Sequence, residues 1–206
     1  IDLIYNTQFE QDYLDNTRDW FIIGLRTGLR ISDFLKLTKQ HIDDEFIYKE
    51  TEKTEFPVII PIHPQVKEIL KKRNGDFPPR FSDNLESAKT FFNRYLRTIT
   101  KQANLDRLEY GKKWNEETKR FDYGKYPLHE IISTHVCRRS FATHNYAKIP
   151  TPIIMAVTGH KTEKEFLNYI GKDYNDLSKQ MLEYWKEQKE KETENIEKTK
   201  NTKIVN

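Results

Sequence analysis

The sequence predicts a mainly α-helical fold with one small antiparallel β-sheet, in the α+β class. Several segments repeat apolar residues every three or four positions, the spacing of one helix face. Two β-favouring runs, at 46–48 and 58–60, flank a polar segment at 49–55 and predict a hairpin. Residues 108–127 are rich in Lys, Glu, Tyr and Gly and lack a helical period, so we expect an exposed loop or ribbon there.

Four helices are predicted in the first half of the chain. The Thr-x-x-Glu pattern at 7–10 has the form of a capping box and predicts that a helix begins there. Gly28 is expected to end that helix, because glycine tolerates the left-handed cap conformation. A short helix is expected at 31–37. Proline in the first turn predicts a helix at 64–72, and an apolar stripe predicts a longer one at 82–102.

The second half is also predicted to be helical after the ribbon. Ser133 or Thr134 is expected to cap a helix at 136–147, and a proline begins another at 152–159. Thr162 is expected to cap a short helix, and an amphipathic helix follows at 176–188. We therefore predict one domain over residues 1–188. Residues 189–206 alternate Lys and Glu with little to bury, so they are expected to form a flexible charged tail.

Composition narrows the class of protein. The chain has 206 residues, enough for a substantial core, and a formal net charge of +3, which permits nucleic-acid binding without indicating it. Cys137 is the only cysteine, so no internal disulfide can form and a cytoplasmic location is expected. No apolar run is long enough to span a membrane, and no signal peptide is recognisable.

Three short motifs carry the residue types needed to attack a phosphodiester. They read TGLRISD with Arg30, THVCRRSFAT with His135 and Arg138, and TGHKTEKEFLNYI with His160 and Tyr169. Each residue alone fits a structural role: a helix-end charge, a surface arginine or a core tyrosine. Cys137 fits helix packing and is assigned no chemistry. The order and spacing of the motifs together indicate a shared site.

Together these motifs closely resemble the catalytic-domain signatures of the tyrosine recombinases, also called the phage integrase family. The resemblance covers nearly the whole chain, and its flanking residues look most like integrases of bacterial mobile elements. It implies the tyrosine-recombinase catalytic-domain fold. It also implies a site-specific recombinase that cleaves and rejoins double-stranded DNA through a 3′-phosphotyrosyl link, with no cofactor, no nucleotide and no metal.

The resemblance implies a role for each site residue. Arg30 and Arg138 fork onto phosphate oxygens, and His160 donates a further hydrogen bond to the same phosphate. Tyr169 is the nucleophile, and His135 takes or shares its proton. Tyr174 is a second candidate nucleophile, but it lies outside the FLNYI run.

A lysine of the predicted hairpin is expected to protonate the departing 5′-oxygen. The resemblance implies this role for a lysine of the hairpin, for which we choose Lys53, and Lys49 is the nearest alternative.

The resemblance also implies partners. Such enzymes assemble as tetramers on DNA, and we expect this chain to be a monomer alone. It begins at Ile1 and shows no N-terminal DNA-clamping domain, so we expect a catalytic domain that binds DNA weakly by itself. Five further side chains are candidate DNA contacts, with a solvated surface as the alternative: Lys112, Lys113, Arg120, Arg139 and Lys161.

The sequence leaves two functional alternatives open. A type IB topoisomerase uses a similar set of residues but relaxes DNA as a monomer. A helical DNA-binding domain without catalysis would need none of them. The helix at 176–188 either docks on a neighbouring protomer or packs within its own chain.

Overall fold

The computed structural model describes residues 1–52 and 57–204. The chain divides into two compact units, the first over residues 1–161 and the second from Thr162 onward. Among the described helices, none is both long and apolar enough to cross a bilayer.

The first unit is built mainly from helices, as the sequence predicts. The longest, α2 and α5, lie in its core and pack against each other. Its helices are α1 (Asp2–Asn6), α2 (Asp12–Thr27), α3 (Ile31–Phe34), α4 (Pro64–Lys72), α5 (Leu85–Gln102), α6 (Leu128–Ile131), α7 (His135–Asn145) and α8 (Thr151–Thr158).

Two antiparallel sheets complete this unit. The predicted hairpin consists of β2 (Phe46–Glu50) and β3 (Pro57–Pro61), with Ile47 opposite Ile60, and β1 (Ile42–Asp43) adds a short third strand. Residues 108–127 form a separate two-stranded ribbon from β4 (Leu108–Asn115) and β5 (Arg120–Pro127). Of the two structures expected for residues 108–127, a loop or a ribbon, the ribbon is the one observed.

The core explains why α2 lies at the centre. Trp20 is fully buried, stacks on Phe77 with ring centroids 5.9 Å apart, and donates its indole N–H to the carbonyl oxygen of Pro79 at 3.2 Å. Phe34 of α3 packs edge-on against Phe92 of α5. Helix α2 contacts α3, α4, α5 and α7, so these helices position one another.

The expected helix start at 7–10 is wrong. Thr7 ends α1 instead: its hydroxyl donates to the carbonyl oxygen of Leu3 at 2.7 Å, and its backbone N–H donates to Ile4. Helix α2 begins at Asp12, after Gln11. A threonine hydroxyl that donates backward to the preceding turn is not available as an N-cap acceptor, so the four-residue pattern was coincidental.

The second unit contains two described helices, α9 (Glu163–Ile170) and α10 (Tyr174–Ile204). Thr162 caps α9 as predicted, accepting the backbone N–H of Glu165 at 3.2 Å, and Gly171 ends it at a φ of 72°. Helix α10 continues beyond residue 188, where the sequence predicted its end. Lys and Glu are good helix formers, so this segment extends a helix without a core. Its flexibility remains a prediction.

Candidate active site

Arg138 is a buried side chain held at the end of α2. Its relative exposure is 8%, and its Nη1 donates a hydrogen bond of 3.1 Å to the carbonyl oxygen of Gly28. Gly28 adopts a left-handed conformation at a φ of 65° and lies two residues before Arg30. Arg138 therefore reaches the same helix junction that carries Arg30.

Glycines of α2 allow α7 to approach this junction closely. A Cβ at Gly28 would lie 2.5 Å from Cδ1 of Phe141, and one at Gly24 would lie 3.0 Å from Sγ of Cys137. Cys137 is fully buried, and burial raises the pKa of its thiol. The expected packing role of Cys137 is confirmed. The close contact holds α7, and with it Arg138, against the end of α2.

Arg30 stands at the beginning of α3. It is half-buried, and its carbonyl oxygen accepts the backbone N–H groups of Asp33 and Phe34 at 2.9 Å each. Gly28 ends one helix and Arg30 precedes the next, so the arginine is held by backbone geometry from both sides.

Asp33 is a site residue to which the sequence analysis gave no role. It is fully buried, and its Oδ1 accepts the backbone N–H of Glu52 at 2.9 Å. Its Oδ2 is buried with no hydrogen-bond partner among the described residues. The sequence feature that could have revealed this role is an acidic residue three positions after Arg30. Asp33 anchors the chain immediately before Lys53, which lies outside the described residues.

The two histidines lie at the edges of α7 and α8. His135 is the first residue of α7 and is exposed, whereas His160 follows the end of α8 and is half-buried. Nδ1 of His160 lies 2.8 Å from Oγ1 of Thr158, a contact that sequence reasoning missed. Helix α7 packs against both α2 and α8. The first unit thus gathers the elements that carry Arg30, His135, Arg138 and His160.

Tyr169 belongs to the second unit. It lies in the last turn of α9, is half-buried, and is flanked by the buried side chains of Phe166 and Ile170. Its approach to the other candidate residues remains a prediction.

The candidate DNA contacts differ in their surroundings. Arg139 and Lys161 are exposed. Lys113 is committed to an ion pair with Glu130 at 2.8 Å, whereas Lys112 lies over the ring of Phe121 at 4.8 Å. These five side chains do not lie on one continuous element.

The ribbon separates its residues onto two faces by strand alternation. The inner face packs on α6, because a Cβ at Gly111 would lie 2.6 Å from Cδ1 of Ile131. Lys113 and Arg120 belong to this face by register. The outer face is aromatic, apolar and cationic, carries no acidic residue, and consists of Leu108, Tyr110, Lys112, Trp114, Phe121, Tyr123, Lys125 and Pro127.

Metal ligands are not grouped in the described part of the chain. Within residues 1–52 and 57–204, no three His, Cys, Asp or Glu side chains are placed to hold a metal ion.

Three solved structures share this fold at low sequence identity. A Tn1549 transposon integrase in complex with transposon right end DNA aligns with a TM-score of 0.58 and 15% identity, covering 89% of this chain and 63% of that one. A XerA recombinase aligns with a TM-score of 0.53 and 16% identity, covering 86% of this chain and 65% of that one. A lambda integrase dimer bound to a COC′ core site aligns with a TM-score of 0.53 and 19% identity, covering 82% of this chain and 56% of that one. This chain thus spans less than two thirds of each.

The sequence itself supplies the family. Comparison with curated proteins finds no match. The profile of the Phage integrase family matches residues 15–176, a span that includes the TGLRISD, THVCRRSFAT and TGHKTEKEFLNYI motifs. This chain therefore belongs to the phage integrase family.

Proposed function

We propose that this chain is the catalytic domain of a tyrosine recombinase that cleaves and rejoins double-stranded DNA. The observation that carries the proposal is the hydrogen bond from Arg138 to Gly28, which ties the second arginine motif to the first inside one unit. Family membership supports the same chemistry. Neither topoisomerase activity nor a purely structural DNA-binding role has an observation of its own in its favour.

The proposed reaction replaces one phosphodiester with another. The phenol oxygen of Tyr169 attacks the phosphorus, the bond from phosphorus to the 5′-oxygen breaks, and a 3′-phosphotyrosyl link forms. His135 takes or shares the phenol proton, and Lys53 supplies a proton to the departing 5′-oxygen. A 5′-hydroxyl from a partner duplex then reverses the step. The bond energy is conserved, so no nucleotide cofactor is needed.

Charge on the phosphate is the main demand that this reaction makes of the protein. Arg30 and Arg138 are proposed to bind the non-bridging oxygens, and His160 to add a hydrogen bond. A buried guanidinium anchored at one nitrogen, as in Arg138, supports this role because its orientation is set before DNA binds. Asp33 is proposed to act through Glu52 by holding the strand connection that leads to Lys53.

Double-stranded DNA is the proposed partner, and a tetramer on DNA the proposed assembly. The solved structures with this fold include the lambda integrase dimer bound to a COC′ core site and the Tn1549 transposon integrase in complex with transposon right end DNA. The outer face of the ribbon, together with Arg139 and Lys161, is the proposed DNA-contacting surface. The chain alone is proposed to be monomeric, catalytic over 1–188, and active in the cytoplasm.

Covalent capture tests this function. The protein is mixed at low salt with a library of random-sequence duplexes that each carry a nick, so that a cleaved strand end diffuses away. Adducts are resolved on a denaturing gel and the attached DNA is sequenced. We expect an adduct in the wild type and in Tyr174→Phe, and none in Tyr169→Phe. An adduct that persists in Tyr169→Phe disproves the proposed nucleophile.

A further inference from the structure

The ring of His160 is held by a threonine two residues earlier. Thr158 is the last residue of α8 and is fully buried. Its Oγ1 lies 2.8 Å from Nδ1 of His160 and also 2.8 Å from the carbonyl oxygen of Ile154. Gly159, left-handed at a φ of 61°, reverses the chain so that the ring can return to this hydroxyl.

The threonine hydroxyl has one proton, and the geometry indicates which of its two neighbours receives it. A carbonyl oxygen carries no hydrogen, so the 2.8 Å contact with Ile154 exists only if Thr158 donates to it. The hydroxyl therefore accepts from His160, and Nδ1 of that ring carries a proton. In the neutral ring Nε2 is then an acceptor, because only one of the two nitrogens is protonated.

We propose that Thr158 is a positioning residue that fixes the tautomer of His160, so that the ring donates to the phosphate only as an imidazolium. This inference rests on the proposed function, in which His160 contacts the phosphate. Nδ1 is committed to Thr158, so the phosphate contact falls to Nε2, which donates only after a second proton binds. The device couples phosphate binding at this position to pH.

Among the described residues, few ionisable groups lie on the elements that pack against α8. Helix α8 has no ionisable side chain, and neither does β3, which packs against it. The other packed element, α7, contributes His135, Arg138, Arg139 and His144, and Lys161 follows His160 in the chain. Imidazole is the side-chain group that ordinarily changes charge near neutral pH, so the two histidines of α7 are the groups that a test must separate from His160.

The pH dependence of cleavage makes that separation. Single-turnover adduct formation on the captured DNA is measured between pH 6 and 9 for wild type, Thr158→Val and Thr158→Ser. Valine keeps the shape and removes the hydroxyl, whereas serine keeps the hydroxyl. Tyr169, His135 and His144 are present in every variant, so the ratio of the variant rate to the wild-type rate cancels their contributions and isolates that of His160.

We expect Thr158→Val to be slower at pH 6 by about two- to tenfold, the worth of one hydrogen bond. Its ratio to wild type should then rise about tenfold toward pH 9, because the released neutral ring can take the tautomer with the proton on Nε2. The ratio for Thr158→Ser should stay constant. A ratio for Thr158→Val that does not change with pH overturns the proposal. Loss of the adduct in every protein, wild type included, would instead overturn the proposed function.

A direct reading of the tautomer does not depend on activity. Nitrogen-15 NMR of the wild type above pH 8, with the ring assigned by comparison with His160→Gln, distinguishes the two neutral tautomers. We expect Nδ1 to be the protonated nitrogen. Protonation of Nε2 in the neutral ring would overturn the proposal whatever the kinetics show.

Discussion

The guanidinium of Arg138 donates through Nη1 to the carbonyl oxygen of Gly28, a contact of 3.1 Å between residues 110 positions apart. Gly28 ends α2 in the left-handed region, so its carbonyl points away from the helix ladder toward α7. One arginine nitrogen is thereby used to orient the group. A lysine in this position would have a single nitrogen for this contact and for the proposed phosphate contact.

Arg138→Lys should therefore cleave poorly although its charge is retained. We expect the single-turnover rate of adduct formation to fall by about 10²- to 10³-fold, the usual cost of losing one preorganised donor. Arg139→Lys is the matched control, because Arg139 is the next residue on α7 and is exposed. Equal losses in the two variants would contradict the assigned role of Arg138.

Gly28→Ala should destabilise the fold through two separate effects. Alanine in the left-handed region costs about 1 kcal/mol, and its Cβ would overlap the Phe141 ring at 2.5 Å. Gly75→Ala is the matched control: its φ is 85°, yet nothing lies within 4 Å of the new Cβ. We expect Gly28→Ala to lose about 1–3 kcal/mol more than Gly75→Ala in denaturant unfolding, the cost of overpacking. Equal losses would show that Phe141 yields freely.

Much of this arrangement was predictable from sequence, and the exceptions have physical causes. The glycine caps at Gly28 and Gly159, the threonine cap of α9 and the first-turn proline of α4 depend on local backbone chemistry, so spacing revealed them. The capping box at 7–10 failed because a threonine hydroxyl can donate backward as readily as it accepts forward.

Tertiary contacts were beyond sequence reasoning. The THVCRRSFAT motif contains both His135 and Arg138, but only the structure shows that Arg138 is buried and His135 is exposed. The contact of Arg138 with Gly28 joins residues 110 positions apart in the sequence. The acceptor role of Thr158 depends on the ring of His160, which folds back across the left-handed Gly159. Asp33 was visible in its motif, yet only its burial beside Glu52 gives it a role.

Asp19 should be important for stability rather than catalysis. It is 1% exposed, and its carboxylate binds Arg18 at 2.7 Å and Arg73 at 2.6 Å. Asp19→Asn leaves two guanidiniums without their buried counter-charge, so we expect a loss of about 3–5 kcal/mol in the free energy of unfolding.

Asp15→Asn is the matched control for that substitution. Asp15 pairs with the same two arginines but is more exposed, with 22% of its side chain accessible. Solvent screens such a pair, so we expect a loss of about 1 kcal/mol or less by the same denaturant measurement. A larger loss for Asp15→Asn than for Asp19→Asn would contradict the assignment.

His63 should make stability depend on pH. Its Nδ1 accepts the backbone N–H of Gln65 at 3.2 Å and caps α4. Burial, followed by the charge of Arg26, holds the pKa of His63 below its ordinary value. A histidine whose pKa is lowered by folding contributes stability that is fully present above about pH 6.5 and is lost as pH falls below it.

The cap itself sets the size of this effect at about 1 kcal/mol. His63→Asn keeps an acceptor for the Gln65 N–H and cannot titrate. The free energy of unfolding is measured by denaturant from pH 5 to 8. We expect the advantage of wild type over His63→Asn to shrink by about that amount as pH falls, and His144 cancels because both proteins contain it. A difference independent of pH would contradict the prediction.

The two faces of the ribbon should respond differently when DNA binds. Lys112 lies on the outer face, whereas Lys113 is on the inner face and already paired with Glu130. A phosphate contact from Lys112 releases counterions without breaking a protein ion pair.

Duplex affinity is measured by fluorescence anisotropy over a range of KCl concentrations. Lys112→Ala should make the negative slope of log affinity against log salt less steep by about 0.9, the value for one lost phosphate contact. Lys113→Ala should leave that slope near the wild-type value, because its ammonium is neutralised by Glu130 before DNA arrives. The reverse order of effects would assign the DNA contact to the inner face.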